Sequence, residues 1–138
     1  MSTDFPRKIF VNLPVKDLDR SVAFFTALGF SFDSRFTDED ATCMIVSDAA
    51  FVMLLVEERF KDFTKKEVCD ATTHTEAILA VTADNRAGVD DLAEAALAAG
   101  GQPANEPMDT DFMYGRSFYD PDGHLWEVFF MDPTALEE

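Results

Sequence analysis

Few side chains in this 138-residue chain combine reactive chemistry with a setting that would let them act on a small molecule, and the strongest is Glu127. In Leu125-Trp126-Glu127-Val128-Phe129, strand alternation sends Trp126 and Val128 to one face and Glu127, with Leu125 and Phe129, to the other. Desolvation disfavours the charged form of a carboxylate in apolar company. Such a group suits a general base or an acceptor for a ligand's donor. It equally suits a buried acid satisfied by Asn12, a tyrosine or Arg116. Glu76 carries the same choice, and if both acids faced one cleft, like-charge proximity would raise one apparent pKa. His74 lies two residues before Glu76 and shares its face if the strand there begins early; otherwise it is an exposed loop histidine between Thr73 and Thr75. His124 follows a turn glycine and is expected to be exposed. Face parity adds Phe10, Asn12, Leu54, Tyr114 and Arg116 as candidate ligand contacts. No nucleophile elbow, phosphate loop or dinucleotide glycine pattern occurs, which argues against nucleotide cofactors.

The elements that must position these groups come in two similar runs. Residues 8–15 alternate, with Phe10, Asn12 and Pro14 on one face and Val11, Leu13 and Val15 on the other. Asp17 stands at an N-cap position, Leu18, Val22, Phe25 and Leu28 recur at helical spacing, and Gly29 ends the helix. Strands are expected near 30–36, 41–46 and 50–57, split by Thr37-Asp38-Glu39-Asp40 and Ser47-Asp48. Phe24, Phe25 and Phe30 read as core. A polar connector over about 58–75, with Phe60 and Phe63 as its large apolar anchors, leads to a second strand at 76–83. The next helix carries Val89, Leu92, Ala93, Ala96 and Leu97 and closes at Gly100-Gly101. Pro103 and Pro107 make 102–108 an edge strand or extended loop. Strands Met113–Tyr119 and Leu125–Met131 flank the turn Asp120-Pro121-Asp122-Gly123. A duplicated strand-helix-strands unit implies two half-sheets enclosing a small-molecule cleft.

Length and a 47% hydrophobic content fit a single domain, residues 1–138, with module one at about 8–57 and module two at about 76–131. No apolar run approaches the roughly 20 residues of a membrane span, and Met1-Ser2-Thr3-Asp4 lacks a leader pattern, so a cytoplasmic location without membrane partners is expected. Cys43 and Cys69 are expected to be reduced thiols. A net charge of −16 repels phosphate backbones and argues against nucleic acid. The same charge attracts a cationic ligand, or serves solubility alone, with Asp38-Glu39-Asp40 and Glu137-Glu138 as solvated loop and tail.

Leu13-Pro14-Val15-Lys16-Asp17-Leu18-Asp19-Arg20-Ser21-Val22-Ala23-Phe24-Phe25 with Leu28-Gly29-Phe30, and Gly115 to Glu127 around the Asp-Pro-Asp-Gly turn, together resemble the glyoxalase, bleomycin-resistance and extradiol-dioxygenase superfamily, the vicinal oxygen chelate proteins. The resemblance spans nearly the whole chain. It implies an α+β fold of two tandem βαβββ modules, a curved mixed sheet with a concave ligand cleft, helices on the outer face, and commonly a homodimer. It also implies four metal-ligand positions, which here fall on Phe10, Leu54, Glu76 and Glu127. Two apolar residues and two carboxylates make a poor site for Zn²⁺ or Ni²⁺, which favour nitrogen or sulfur donors. The expectation is therefore small-molecule binding without a cofactor, in the manner of the antibiotic-sequestering members. The alternative is a glyoxalase-like lyase or isomerase, or a dioxygenase-related enzyme, using Glu127 and Glu76, with His74 in reach, around a divalent metal.

Overall fold

The computed structural model describes residues 5–136; Met1-Ser2-Thr3-Asp4 and Glu137-Glu138 lie outside the described residues. The chain divides into two compact units, Met1–Val68 and Cys69–Glu138.

The first unit contains β1 (Ile9–Val15), α1 (Leu18–Ala27), β2 (Ser31–Phe32), β3 (Ala41–Ile45), β4 (Ala50–Val56) and the single turn α2 (Glu57–Phe60). Its four strands are ordered β1-β4-β3-β2. β1 runs parallel to β4 and the other pairs are antiparallel, which makes a mixed βαβββ sheet. The Asp17 carboxylate accepts the Arg20 backbone N–H at 3.1 Å, satisfying a donor that the first turn of α1 leaves free. Phe24 and Phe25 are buried with rings edge-on at 4.9 Å, and Phe30 lies 6.1 Å from Phe25. The buried arc of α1 centres on Ser21, Phe24 and Phe25, which leaves Val22 half-buried rather than in the core.

The strand expected over 30–36 stops at Phe32. The Asp33 carboxylate accepts both the Arg35 backbone N–H and its guanidinium, at 2.8 to 3.0 Å, and winds Ser34–Phe36 into a 3-10 turn instead. The connector opens with α2 and a second 3-10 turn, Lys61–Phe63. Phe63 is exposed and anchors nothing in the core; the Arg59 guanidinium covers its ring from 6.0 Å. Among the described residues no helix is long and apolar enough to cross a membrane. Both cysteines are free thiols, and burial pushes that of Cys43 up.

The second unit repeats the plan with β5 (Ile78–Thr82), α3 (Arg86–Ala98), β6 (Gln102–Pro103), β7 (Met108–Asp109), β8 (Met113–Tyr119) and β9 (Leu125–Met131). The order is β5-β9-β8-β6, with β7 also on β8, and β5 parallel to β9 as β1 is to β4. Asn85 caps α3 by accepting the Gly88 N–H at 2.7 Å. Val89 and Ala93 pack on Val128, joined by Val81, Leu92, Tyr114 and Phe130. Trp126 and Val128 are thus core, as their parity required. Pro103 and Pro107, lacking backbone donors, break the edge into the short pieces β6 and β7. The fold is α+β, built from mixed sheets with helices packed on one face.

Candidate functional site

Strand register decides which candidates share a face. In the second unit Glu127 lies opposite Ser117 on β8 and Ala80 on β5, while Phe129 lies opposite Gly115 and Thr82. Paired residues project to the same side. This face is the one away from α3, and it holds a cavity of about 360 Å³. Met108, Met113, Met131 and Phe129 supply its apolar walls, and Glu127 and Glu106 its carboxylates. Gly115 contributes no side chain, and a Cβ there would meet that of Phe129 at 3.3 Å, so the floor lies open beside the ring. Glu127 is half-buried and, among the described residues, its carboxylate has no hydrogen bond or ion pair.

The three internal partners expected for Glu127 are engaged elsewhere. The Asn12 amide donates to Phe10 O at 3.2 Å within its own strand. Tyr114 and Arg116 belong, by register with Phe130 and Val128, to the face that meets α3. There the Tyr114 hydroxyl donates to Asp90 at 2.6 Å, and the Arg116 guanidinium reaches Asp90 at 3.1 Å and Glu94 at 2.7 Å. The Tyr114 hydrogen bond, then Arg116, holds the Asp90 carboxyl below its usual range, and the same bond pushes the Tyr114 hydroxyl up. Arg116 borders the cavity, but its charge is neutralised by Glu94 and Asp90. The ligand-contact assignment of Tyr114 is thereby corrected: Asp90 and Glu94, one turn apart on α3, draw the polar side chains of β8 to the helix side.

Glu76 is exposed in a bend just before β5 and is not among the cavity's lining residues. His74 lines a different hollow, of about 370 Å³, with Thr72, Thr75, Gln102 and Tyr119; its Nδ1 is 2.7 Å from the Thr73 hydroxyl. His124 is half-buried rather than exposed. In the first unit Phe10 pairs with Phe51, their rings stacked at 4.7 Å, and Asn12 pairs with Met53. Leu54 pairs with Leu13 on the opposite face and is 0% exposed, in the core. Leu54 is therefore no ligand contact; Met53 holds the position that parity alone gives to Leu54. The methionines of the second cavity escape a reading of the sequence because β7 pairs with β8 across an irregular segment, although Met113 and Met131 share their parity with Gly115 and Phe129.

The turn before β9 fixes the direction of Glu127. Asp120 Oδ1 accepts the N–H groups of Asp122 and His124 at 2.9 and 3.0 Å, and Oδ2 accepts Trp126 Nε1 at 3.0 Å. Burial raises the Asp120 carboxyl above its usual range, against the pull of His124 and Trp126. Gly123 has φ +94°, and a Cβ on it would lie 2.7 Å from the carbonyl oxygen of Ala71. The turn is thus pressed against the end of the connector.

A divalent metal, which the resemblance implies, finds no matching donor set among the described residues. Beside Glu127 in register stand Ala80 and Ser117, and His74 lines another hollow; the corresponding face of the first sheet offers Phe10, Asn12, Phe51 and Met53. Among the described residues no three His, Cys, Asp or Glu side chains come together to hold a metal. The carboxylates of Glu127 and Glu106 in this largely apolar cavity can instead attract a cation, or Glu127 can act as a base toward a bound ligand.

Solved structures share this fold. A hypothetical protein from S. aureus, SA1046, is 25% identical with a TM-score of 0.77, covering 91% of this chain and 94% of that one. A glyoxalase-related enzyme from Fulvimarina pelagi is 20% identical, also at 0.77, covering 91% and 88%. TnmS3, an antibiotic binding protein from Streptomyces sp. CB03234, is 14% identical at 0.67, covering 95% and 100%. No curated protein matches the chain. The family model for the Glyoxalase/Bleomycin resistance protein/Dioxygenase superfamily matches residues 9–128, and the chain belongs to that superfamily.

Proposed function

We propose that the chain binds a small apolar cation in the methionine-walled cavity of its second module, without the divalent metal of the chelating family members. The observation that carries this reading is Glu127, whose carboxylate has no side-chain partner among the described residues and opens, beside Ser117, on a cavity walled by Met108, Met113, Phe129 and Met131. A carboxylate beside apolar walls attracts a counter-charge, and thioether side chains adapt to irregular ligands. The −16 net charge raises the local concentration of cations. The antibiotic binding protein among the structural neighbours is consistent with a sequestering role. Action as a cytoplasmic homodimer belongs to the same reading, with the dimer testable by sedimentation.

A fluorescence titration tests it: the cationic dye rhodamine 6G is expected to bind, fluorescein to bind far more weakly, and Glu127→Gln to lower the affinity for rhodamine about tenfold. Equal affinity for both dyes, or an unchanged Glu127→Gln titration, refutes it. The same free carboxylate supports a second reading, a lyase or isomerase in which Glu127 is the general base. Stoichiometric divalent metal in purified protein, lost on Glu127→Gln, would establish metal chemistry and overturn the metal-free assignment.

A further inference from the structure

Residues 105–112, which supply Asn105, Glu106 and Met108 to the cavity, are all exposed, with Met108 and Phe112 only partly covered, so little burial of apolar surface holds them down. Their ladder to β8 is two residues long, Met108 opposite Gly115 and Asp109 opposite Tyr114, and Pro107 adds no donor. The Asn105 N–H donates to Ser117 Oγ at 2.8 Å. The Thr110 N–H donates to Met113 O and the Asp132 N–H to Phe112 O, each at 2.8 Å, and a further tie comes from outside the sheet. Arg86, the first residue of α3, donates from Nη1 to Asp109 at 2.9 Å and from Nη2 to the Thr110 carbonyl at 3.1 Å, with its guanidinium 5.1 Å over the Tyr114 ring. Charge-assisted, forked contacts of this kind outweigh single neutral bonds.

We propose that Arg86 is a positioning residue that latches residues 105–112 in place as the outer wall of the Glu127 cavity. The helix end then shares with β8 and Asp132 the task of holding that wall. Arg86 touches the segment and Tyr114 but does not line the cavity, so it acts on a ligand only through the wall it holds. Both members of the Arg86–Asp109 pair are substantially exposed, so added salt screens it and loosens the wall. The consequence for binding rests on the proposed function; the latch itself does not.

Hydrogen exchange followed by mass spectrometry tests the latch without a ligand. In Arg86→Ala, exchange of peptides covering 104–110 is expected to rise about tenfold while those covering β9 and β1 stay unchanged. Arg86→Lys, which keeps the charge and loses the fork, is expected to fall between the two. Unchanged exchange at 104–110 in Arg86→Ala, or an equal rise across β9, overturns the proposal. Stopped-flow dissociation of rhodamine 6G gives the functional half: Arg86→Ala is expected to release dye about tenfold faster at a similar association rate. A faster-exchanging wall with unaltered dye release shows that the segment does not confine the ligand and overturns that half. Failure of the wild type to hold the dye refutes the cavity reading, while the exchange data still decide the latch.

Discussion

Replacing Gly123 with alanine tests how the second module is fastened. The residue has φ +94°, a conformation that costs a side-chain-bearing residue about 1–2 kcal/mol. Its new Cβ would lie 2.7 Å from the Ala71 oxygen, 2.9 Å from the Ala71 carbonyl carbon and 3.1 Å from Thr72 N. These are backbone atoms that cannot rotate aside, so the turn or the connector must shift, at about 1–3 kcal/mol by analogy with overpacked cores. Lower entropy of the unfolded chain returns about 0.4–1 kcal/mol. The expected net loss is about 1–4.6 kcal/mol, centred near 3. Gly29 provides the control, because it has φ +101° and nothing within 4 Å of where a Cβ would stand. Gly29→Ala should therefore cost only about 1 kcal/mol. For a chain of this length each kcal/mol moves Tm by about 3–5 °C, so melting followed by circular dichroism should separate the variants by several degrees. Equal Tm values would refute the reasoning, since the close approach to Ala71 would then contribute nothing.

Val128→Ala removes two methyl groups beside Val89 and Ala93 and is expected to cost about 2–3 kcal/mol, read as a lower urea midpoint at unchanged m-value. Asp120 has a folded pKa above its unfolded one, so its contribution is fully present below the unfolded value of about 3.8 and is lost as pH rises through the folded value. The penalty of Asp120→Asn should therefore shrink from pH 4 upward; a penalty that grows over that range contradicts the burial argument. Asp90 runs the other way. Its depressed carboxyl stabilises above its usual range and loses that effect as pH falls through the folded value, so Asp90→Asn should be harmful at pH 7 and harmless in strong acid. Met53→His should leave stability within about 1 kcal/mol, whereas Leu54→His, which puts an imidazole in the core, should cost about 2–5 kcal/mol by chemical denaturation.

The helices, the Asp17 cap, the Asp-Pro-Asp-Gly turn and the strands β8 and β9 are legible in the sequence because each follows from local periodicity or turn chemistry. The open face of Glu127 is legible as well, from Trp126 and Val128 on its flanks. Register is not. Parity ranks residues within one strand but cannot say which parity of β4 matches which of β1, so it sets Leu54 beside Phe10 when Phe51 and Met53 occupy that side. Tyr114 misleads for a different reason: a tyrosine on a strand looks solvent- or ligand-facing until Asp90 of a sequence-distant helix is known to meet it, whereas Arg116, though paired with Asp90 and Glu94, still borders the cavity. The shortening of β2 in favour of a 3-10 turn depends on Asp33 and Arg35, whose contact competes with strand pairing only at close range.

The two parallel pairings also bear on how the chain acquires its fold. Ile9 meets Ala50, and Ile78 meets Leu125, each across a long stretch of chain that includes a helix, whereas β3–β4 and β8–β9 are joined by short turns. Loop-closure entropy favours the hairpins first and leaves β1 and β5 to dock last. Because β4 ends at Val56, the amino-terminal half can complete its sheet during synthesis, before the ribosome has delivered β5.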